Sequence, residues 1–167
     1  MLEDVTVAKC LEFAVETEEI GAELYRRLAG KFSSDRDLTE LFEGLGRDEE
    51  KHGEQFRMLY EQALPRFREH EISPEQQNYV RAMSMSDIFS AGKGLAKDVE
   101  GIKTREDALE RALGLEKATL SYYQAVREIT GHDDILDALI AVEKKHVVKV
   151  MQLMVTGAKF RGLADSY

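Results

Sequence analysis

Glu49-Glu50-Lys51-His52 and Glu143-Lys144-Lys145-His146 are two copies of one four-residue pattern, and their reading decides how the rest of the chain is read. Residues three apart on an α-helix lie on one face, so each Glu-x-x-His offers one oxygen and one nitrogen ligand toward a common point. Either copy alone reads as a solvated helix face, because surface helices are rich in Glu, Lys and His. The pair gains its meaning from the apolar residues around it.

Working outward, apolar residues recur at spacings of three and four, the helical period. Leu38, Phe42, Leu45, Phe56, Leu59 and Ala63 place Glu49 and His52 on the inward stripe of one helix, with Ser34 as candidate N-cap and Pro65 just beyond its end. Leu136, Leu139, Val150 and Leu153 do the same for Glu143 and His146; Gly131 ends the preceding helix and Asp133 is the candidate N-cap. Two more stripes carry the same anomaly. Val7, Leu11, Ala14, Gly21, Tyr25 and Leu28 mark a first helix near residues 4–31, and Glu18 occupies a position where that series demands an apolar residue. Leu109, Ala112, Leu120, Tyr123 and Val126 mark another, opened by a capping-box spacing from Thr104 to Asp107, and Glu116 sits in it. Glu18 precedes Tyr25 by seven residues, as Glu116 precedes Tyr123, so the two halves repeat. The match is approximate: Glu18 to Glu49 is 31 residues and Glu116 to Glu143 is 27, a difference that a change in loop length would explain.

Connection lengths give the architecture. Roughly two residues around Ser33 join the first and second helices, whereas residues 64–103 separate the second from the third. That long segment carries a short helix of its own, with Ser73 as N-cap and Pro74 at the first helical position, and a Gly92-Lys93-Gly94 stretch without phosphate-loop spacing. Short loops make antiparallel neighbours. The expected fold is all-α: two hairpins, about 4–63 and 104–160, joined by one long crossover, the ferritin-like version of a four-helix bundle, forming a single domain over 1–167.

Net charge is −9, from 32 acidic against 23 basic residues spread along the chain, which argues against nucleic acid or an anionic membrane as partner. The single cysteine, Cys10, excludes an intrachain disulfide framework and a Cys-x-x-Cys pair of the rubredoxin or zinc-ribbon kind within this sequence, and reads as a core filler. Met1-Leu2-Glu3-Asp4 lacks the basic start of a signal peptide, and no stretch approaches the ~20 apolar residues of a membrane span; a cytoplasmic protein is expected. Glu19, Glu50, Glu54, Glu110, Lys144 and Lys145 fall off the stripes and read as surface charge, His70 and His132 as exposed residues of connections, and Met83, Met85, Met151 and Met154 as core or interface fillers.

Four carboxylates and two imidazoles converging inside an apolar bundle would each cost several kcal/mol if left unpaired. Two divalent cations would balance the four carboxylates, and mixed oxygen and nitrogen ligation suits first-row metals such as iron or manganese. The absence of sulfur among these six argues against an iron–sulfur cluster or a structural cysteine-type zinc site. On these residues the chain resembles the di-iron domain of rubrerythrins, in the ferritin-like superfamily, over essentially its full length. The resemblance implies two iron ions, with manganese or zinc as possible substitutes, held by Glu18, Glu49, His52, Glu116, Glu143 and His146. Gly21-Ala22-Glu23-Leu24-Tyr25 and Tyr122-Tyr123 resemble the family too, which makes Tyr25 and Tyr123 candidates for orienting the ligand carboxylates; buried aromatics at core spacing are the alternative reading.

The family's activity implies reduction of hydrogen peroxide, or reaction with dioxygen, by a homodimer. Rubrerythrins proper carry a four-cysteine rubredoxin site that this sequence lacks, so a separate donor such as a rubredoxin or a flavoprotein is expected. Thr119 stands where some rubrerythrins place an extra Glu, which removes the basis for a metal that shifts between ligands. The rival expectations are a ferroxidase or iron-storage protein resembling bacterioferritin, against which the residues after Gly157 look too short for a fifth helix, and a metal-free bundle acting as an interaction protein. Helix exchange between protomers is conceivable, since each hairpin supplies half the ligands.

Overall fold

The computed structural model describes residues 6–67, 72–84 and 99–164. Five α-helices follow in order: α1 (Val7–Lys31), α2 (Arg36–Phe67), α3 (Pro74–Ser84), α4 (Arg105–Thr130) and α5 (Asp134–Ala164), with a 3-10 turn at Val99–Gly101 before α4. There is no strand among the described residues, and no described helix is long and apolar enough to cross a membrane. This is the expected all-α, ferritin-like arrangement: α1 packs with α2, α4 with α5, and α3 lies in the crossover and packs on α4.

Local chemistry sets the boundaries. Thr6 caps α1 by accepting from the Lys9 N–H, and Thr104 with Asp107 forms the expected reciprocal capping box of α4. Asp133 caps α5, accepting from the Ile135 and Leu136 N–H groups, after Gly131 has ended α4 at φ +79°, a left-handed value that favours glycine. Ser73 and Gln76 cap α3 reciprocally ahead of Pro74. Four expectations need correction. Asp35, not Ser34, caps α2, by accepting from the Leu38 N–H. The connection between α1 and α2 therefore covers residues 32–35 rather than two residues, and the Asp35 carboxylate also receives Arg105, which ties this loop to the start of α4. Pro65 lies inside α2, which continues to Phe67. The unequal ligand intervals also have a different cause than loop length: the run from Arg36 to Glu49 is about one turn longer than that from Asp134 to Glu143. A whole extra turn returns the ligand to the same face.

The core is divided. One apolar cluster, built around Leu11, Phe56, Leu59, Tyr123, Val126 and Leu139, also takes Ile72 and Val80 from the crossover. The other is built around Leu24, Tyr25, Leu28, Phe42, Leu109 and Leu115, with Val99 and Ile102 packed in from the end of the crossover. Between them sits a polar layer, the six inward acids and imidazoles. Lys31 steadies the second contribution by donating to the Val99 and Glu100 carbonyls at 2.8 and 2.9 Å.

Met154 packs partly buried against the second cluster, but Met151 is 44% exposed and fills no core space. The residues after Gly157 are not a short tail, since α5 runs through to Ala164. His132 is exposed, as expected, yet it pairs with Asp137 at 2.6 Å. His70, Met85 and Gly92-Lys93-Gly94 lie outside the described residues, as do the side chains of Ala63 and Met83.

Candidate metal centre

One long helix contributes each corner of the polar layer: α1 brings Glu18, α2 Glu49 and His52, α4 Glu116, α5 Glu143 and His146. All six are 4% exposed or less. The i, i+3 spacing does what it promised, since His52 Nδ1 lies 3.7 Å from Glu49 Oε2 and His146 Nδ1 lies 3.7 Å from Glu143 Oε2. Across the bundle, His52 Nδ1 is 3.4 Å from Glu18 Oε2 and 2.9 Å from Glu143 Oε1. His146 Nδ1 is 3.3 Å from Glu116 Oε2 and 3.7 Å from Glu49 Oε1. The two rings face each other with centroids 5.4 Å apart.

The ligand atoms sort into two overlapping sets, each with donors within 4.8 Å of one another: Glu18, Glu49, His52 and Glu143, and then Glu49, Glu116, Glu143 and His146. Glu49 and Glu143 belong to both. Each set has one carboxylate and one imidazole of its own. Such an arrangement offers two adjacent cation positions with two carboxylates reaching between them.

A proton-only account leaves this cluster poorly satisfied. Glu18 Oε2, His52 Nδ1, Glu116 Oε2, both Glu143 oxygens and His146 Nδ1 are buried and, among the described residues, find no hydrogen-bond partner of good geometry. Orphaned atoms of that kind are rare because each costs the desolvation of a polar group. Burial pushes Glu18 and Glu49 above the usual carboxylate range, and Glu116 up to about 8. Burial also opposes charge on the imidazoles, but the carboxylates round them win, holding His52 up to about 12 and His146 to about 10. Glu143, desolvated but flanked by both imidazoles, falls to about 2. Metal-free, the cluster would thus balance its charge with protons held on the atoms best suited to ligate a metal. Divalent ions of the oxygen- and nitrogen-preferring kind fit this donor set, and binding them must release protons.

The structure places both candidate tyrosines against terminal carboxylates, in a crosswise pattern. Tyr25 on α1 donates to Glu116 on α4, and Tyr123 on α4 donates to Glu18 on α1. Tyr25 belongs to one apolar cluster and Tyr123 to the other, so each ring closes the polar layer from one end. Gly21 keeps room for Glu49, because a Cβ there would lie 3.3 Å from the Glu49 Cγ. Thr119 is buried on α4, one turn beyond Glu116, and offers no carboxylate.

Two features went unread in the sequence. Asp48 stands behind the ring of His146, with Oδ2 3.3 Å from Nε2, and is itself contacted by Lys51 at 3.6 Å and Lys149 at 3.5 Å. Among the described residues no carboxylate pairs with the Nε2 of His52. A groove of about 410 Å³ between α1 and α2 reaches Glu18 and Glu49 from solvent, lined by Glu19, Glu23, Glu50 and Glu54 with Arg26 and Arg57. Neither could be found by periodicity, because both join residues far apart in the chain.

No curated protein and no solved structure matches the chain. A family model described as Rubrerythrin matches residues 9–154, a span that includes all four long helices' ligands and both tyrosines. The chain belongs to the rubrerythrin family.

Proposed function

We propose that this protein is a non-haem di-iron oxidoreductase that reduces hydrogen peroxide to water with electrons from a separate donor protein. The observation that carries the reading is the sharing of Glu49 and Glu143 by two otherwise distinct ligand sets, in a chain of this family. Peroxide reduction consumes two electrons and two protons, and a pair of iron ions, when bound, supplies the electrons at adjacent positions. The chain's own groups do the rest. Glu49 and Glu143 would be shared by both ions, while Glu18 with His52 would hold one and Glu116 with His146 the other. Tyr25 keeps its proton, since burial and the Glu116 charge hold its pKa well above the phenol value, and so orients that carboxylate as a donor. The apolar clusters exclude water from the two ends of the layer, which leaves the groove between α1 and α2 as the approach from solvent. The one cysteine, Cys10, cannot make a four-cysteine iron site, so electrons reach this domain from outside it.

The test is anaerobic. Loaded with ferrous iron, the protein should be oxidised much faster by one equivalent of peroxide than by dioxygen; equal rates would remove the preference for peroxide. A second reading, ferroxidase or iron handling, is favoured by one observation, the acid-lined groove between α1 and α2, which would draw a cation toward Glu18 and Glu49. Sizing separates the two: a hollow shell of many subunits supports iron storage, a dimer supports redox work.

A further inference from the structure

A threonine inside a helix satisfies its hydroxyl either in solvent or on the carbonyl four residues back. Thr17 bonds the Phe13 carbonyl at 2.8 Å, Thr39 that of Asp35 at 2.9 Å, Thr130 that of Val126 at 3.0 Å and Thr156 that of Gln152 at 2.9 Å, while Thr6 and Thr104 cap helices. Thr119 is the exception. It is 3% exposed and, among the described residues, its hydroxyl has no hydrogen-bond partner. A buried hydroxyl in that state has given up water and gained nothing from the protein, which is uncommon unless a bound molecule satisfies it.

Its place in the fold says which molecule. On α4, Thr119 lies between Glu116, one turn before, and Tyr123, one turn after, and both belong to the polar layer through the Tyr25–Glu116 and Tyr123–Glu18 hydrogen bonds. In the repeat that relates the two halves, Thr119 corresponds to Gly21, since each stands three residues after the single Glu of its helix. Gly21 abuts the shared carboxylate of the neighbouring helix, where a Cβ would lie 3.3 Å from Glu49 Cγ. By the same repeat, Thr119 corresponds to a place beside Glu143. One half of the layer thus has bare backbone at this position and the other a hydroxyl. We propose that the Thr119 hydroxyl donates a hydrogen bond to a peroxide that enters the layer, and so positions it on the side of α4 and α5.

This rests on the peroxide-reducing function proposed above and deepens it by naming a group that holds the substrate. A hydroxyl suits the task because it rotates to meet its partner, both donates and accepts, and adds no charge to a layer where four carboxylates are already crowded.

The probe is azide, a small anion that accepts hydrogen bonds, read by its charge-transfer absorption on the diferric protein. Thr119→Val keeps the shape and removes the hydroxyl, so azide affinity should fall about tenfold, whereas Thr119→Ser should stay within about twofold of the wild type. The peroxide concentration that gives half the maximal oxidation rate should shift in the same order. Two further measurements separate this role from a structural one. Both steps of a Co²⁺ titration should be the same in all three proteins, and metal-free Thr119→Val should melt no lower than the wild type, because the hydroxyl it loses bonds nothing in the fold. Equal azide affinity in the wild type and Thr119→Val, or a loss that Ser does not restore, would overturn the proposal. Weaker Co²⁺ binding or a lower metal-free Tm in Thr119→Val would overturn it too, by assigning the hydroxyl to the ligands or to the fold. Azide binding involves no turnover, so failure of the peroxidase reading would show separately, in the oxidation experiment.

Discussion

The two halves of the candidate metal centre offer the same donor types in different surroundings. On one side Glu18, which approaches His52, borders an acid-lined groove between α1 and α2; on the other Glu116 of α4 approaches His146 of α5, whose far nitrogen is paired with Asp48. Glu49 and Glu143 are common to both. The repeat in the sequence makes the halves equivalent in donor type, whereas the packing of α2 against α5 makes them unequal in support. An imidazole whose second nitrogen is held by a carboxylate is fixed in tautomer and orientation and is a more basic ligand. His146 has that support and His52, among the described residues, does not.

The largest expected effect comes from removing what the halves share. Glu143→Ala should abolish binding of both ions, whereas Glu18→Ala or His146→Ala should sharply reduce occupancy of one half, and Glu54→Ala, an exposed groove residue, should leave metal content unchanged. Elemental analysis after anaerobic loading reads all four, and equal content in every variant would end the assignment. Next comes the inequality itself. Asp48→Asn should weaken one step of a two-step Co²⁺ titration by about 10–100-fold and leave the other in place; a uniform weakening of both steps would mean that Asp48 serves the fold and not His146.

A smaller effect is expected from pH. Glu116 has a raised pKa, so its contribution to the metal-free fold is full below about 4.5 and is lost as pH rises through about 8. His146 follows the same sign, full below about 6.5 and lost as pH rises through about 10. Glu143 has the opposite sign, contributing above about 4.5 and losing that only as pH falls through about 2. Between pH 5 and pH 8 the metal-free protein should therefore lose stability. Metal binding grows easier over the same interval as ligands deprotonate. The gap in Tm between loaded and chelated protein should widen from pH 5 to pH 8, and calorimetry would show it; a constant gap would contradict the proton-holding account of the empty cluster.

The smallest effect tests the crosswise tyrosines. Tyr25→Phe and Tyr123→Phe each leave a buried carboxylate oxygen without its donor, at a cost of about 1–3 kcal/mol. The two losses should be similar in the metal-free protein, because the pairs are related by the repeat. A large difference in Tm would show that the asymmetry around His146 extends to the hydroxyls.

Much of this is legible in the sequence. Glu18, Glu49, His52, Glu116, Glu143 and His146 stood out because each occupies a position where a period of three to four demands an apolar side chain. Capping at Thr104, Asp133 and Ser73 was readable for the same reason, since a cap is a local hydrogen bond. Where local signals compete, spacing alone does not choose between them. Ser34 and Asp35 are both good N-caps, and the choice fell to Asp35, which also receives Arg105 from seventy residues away. Met151 shares the apolar character of Met154, but only the packing of α5 shows that one faces the bundle and the other solvent.

The sequence by itself determined an all-α fold with four long helices, the six donors and their grouping into two Glu-x-x-His helices with two single-Glu helices. It could do so because helical periodicity and capping are properties of residues within about one turn of each other. Only the tertiary structure decided that Glu49 and Glu143 are the shared pair, that Tyr25 serves Glu116 and Tyr123 serves Glu18, and that Asp48 stands behind His146. Those contacts join residues about 90 to 105 positions apart, and no spacing along one helix encodes which face of another helix will meet it.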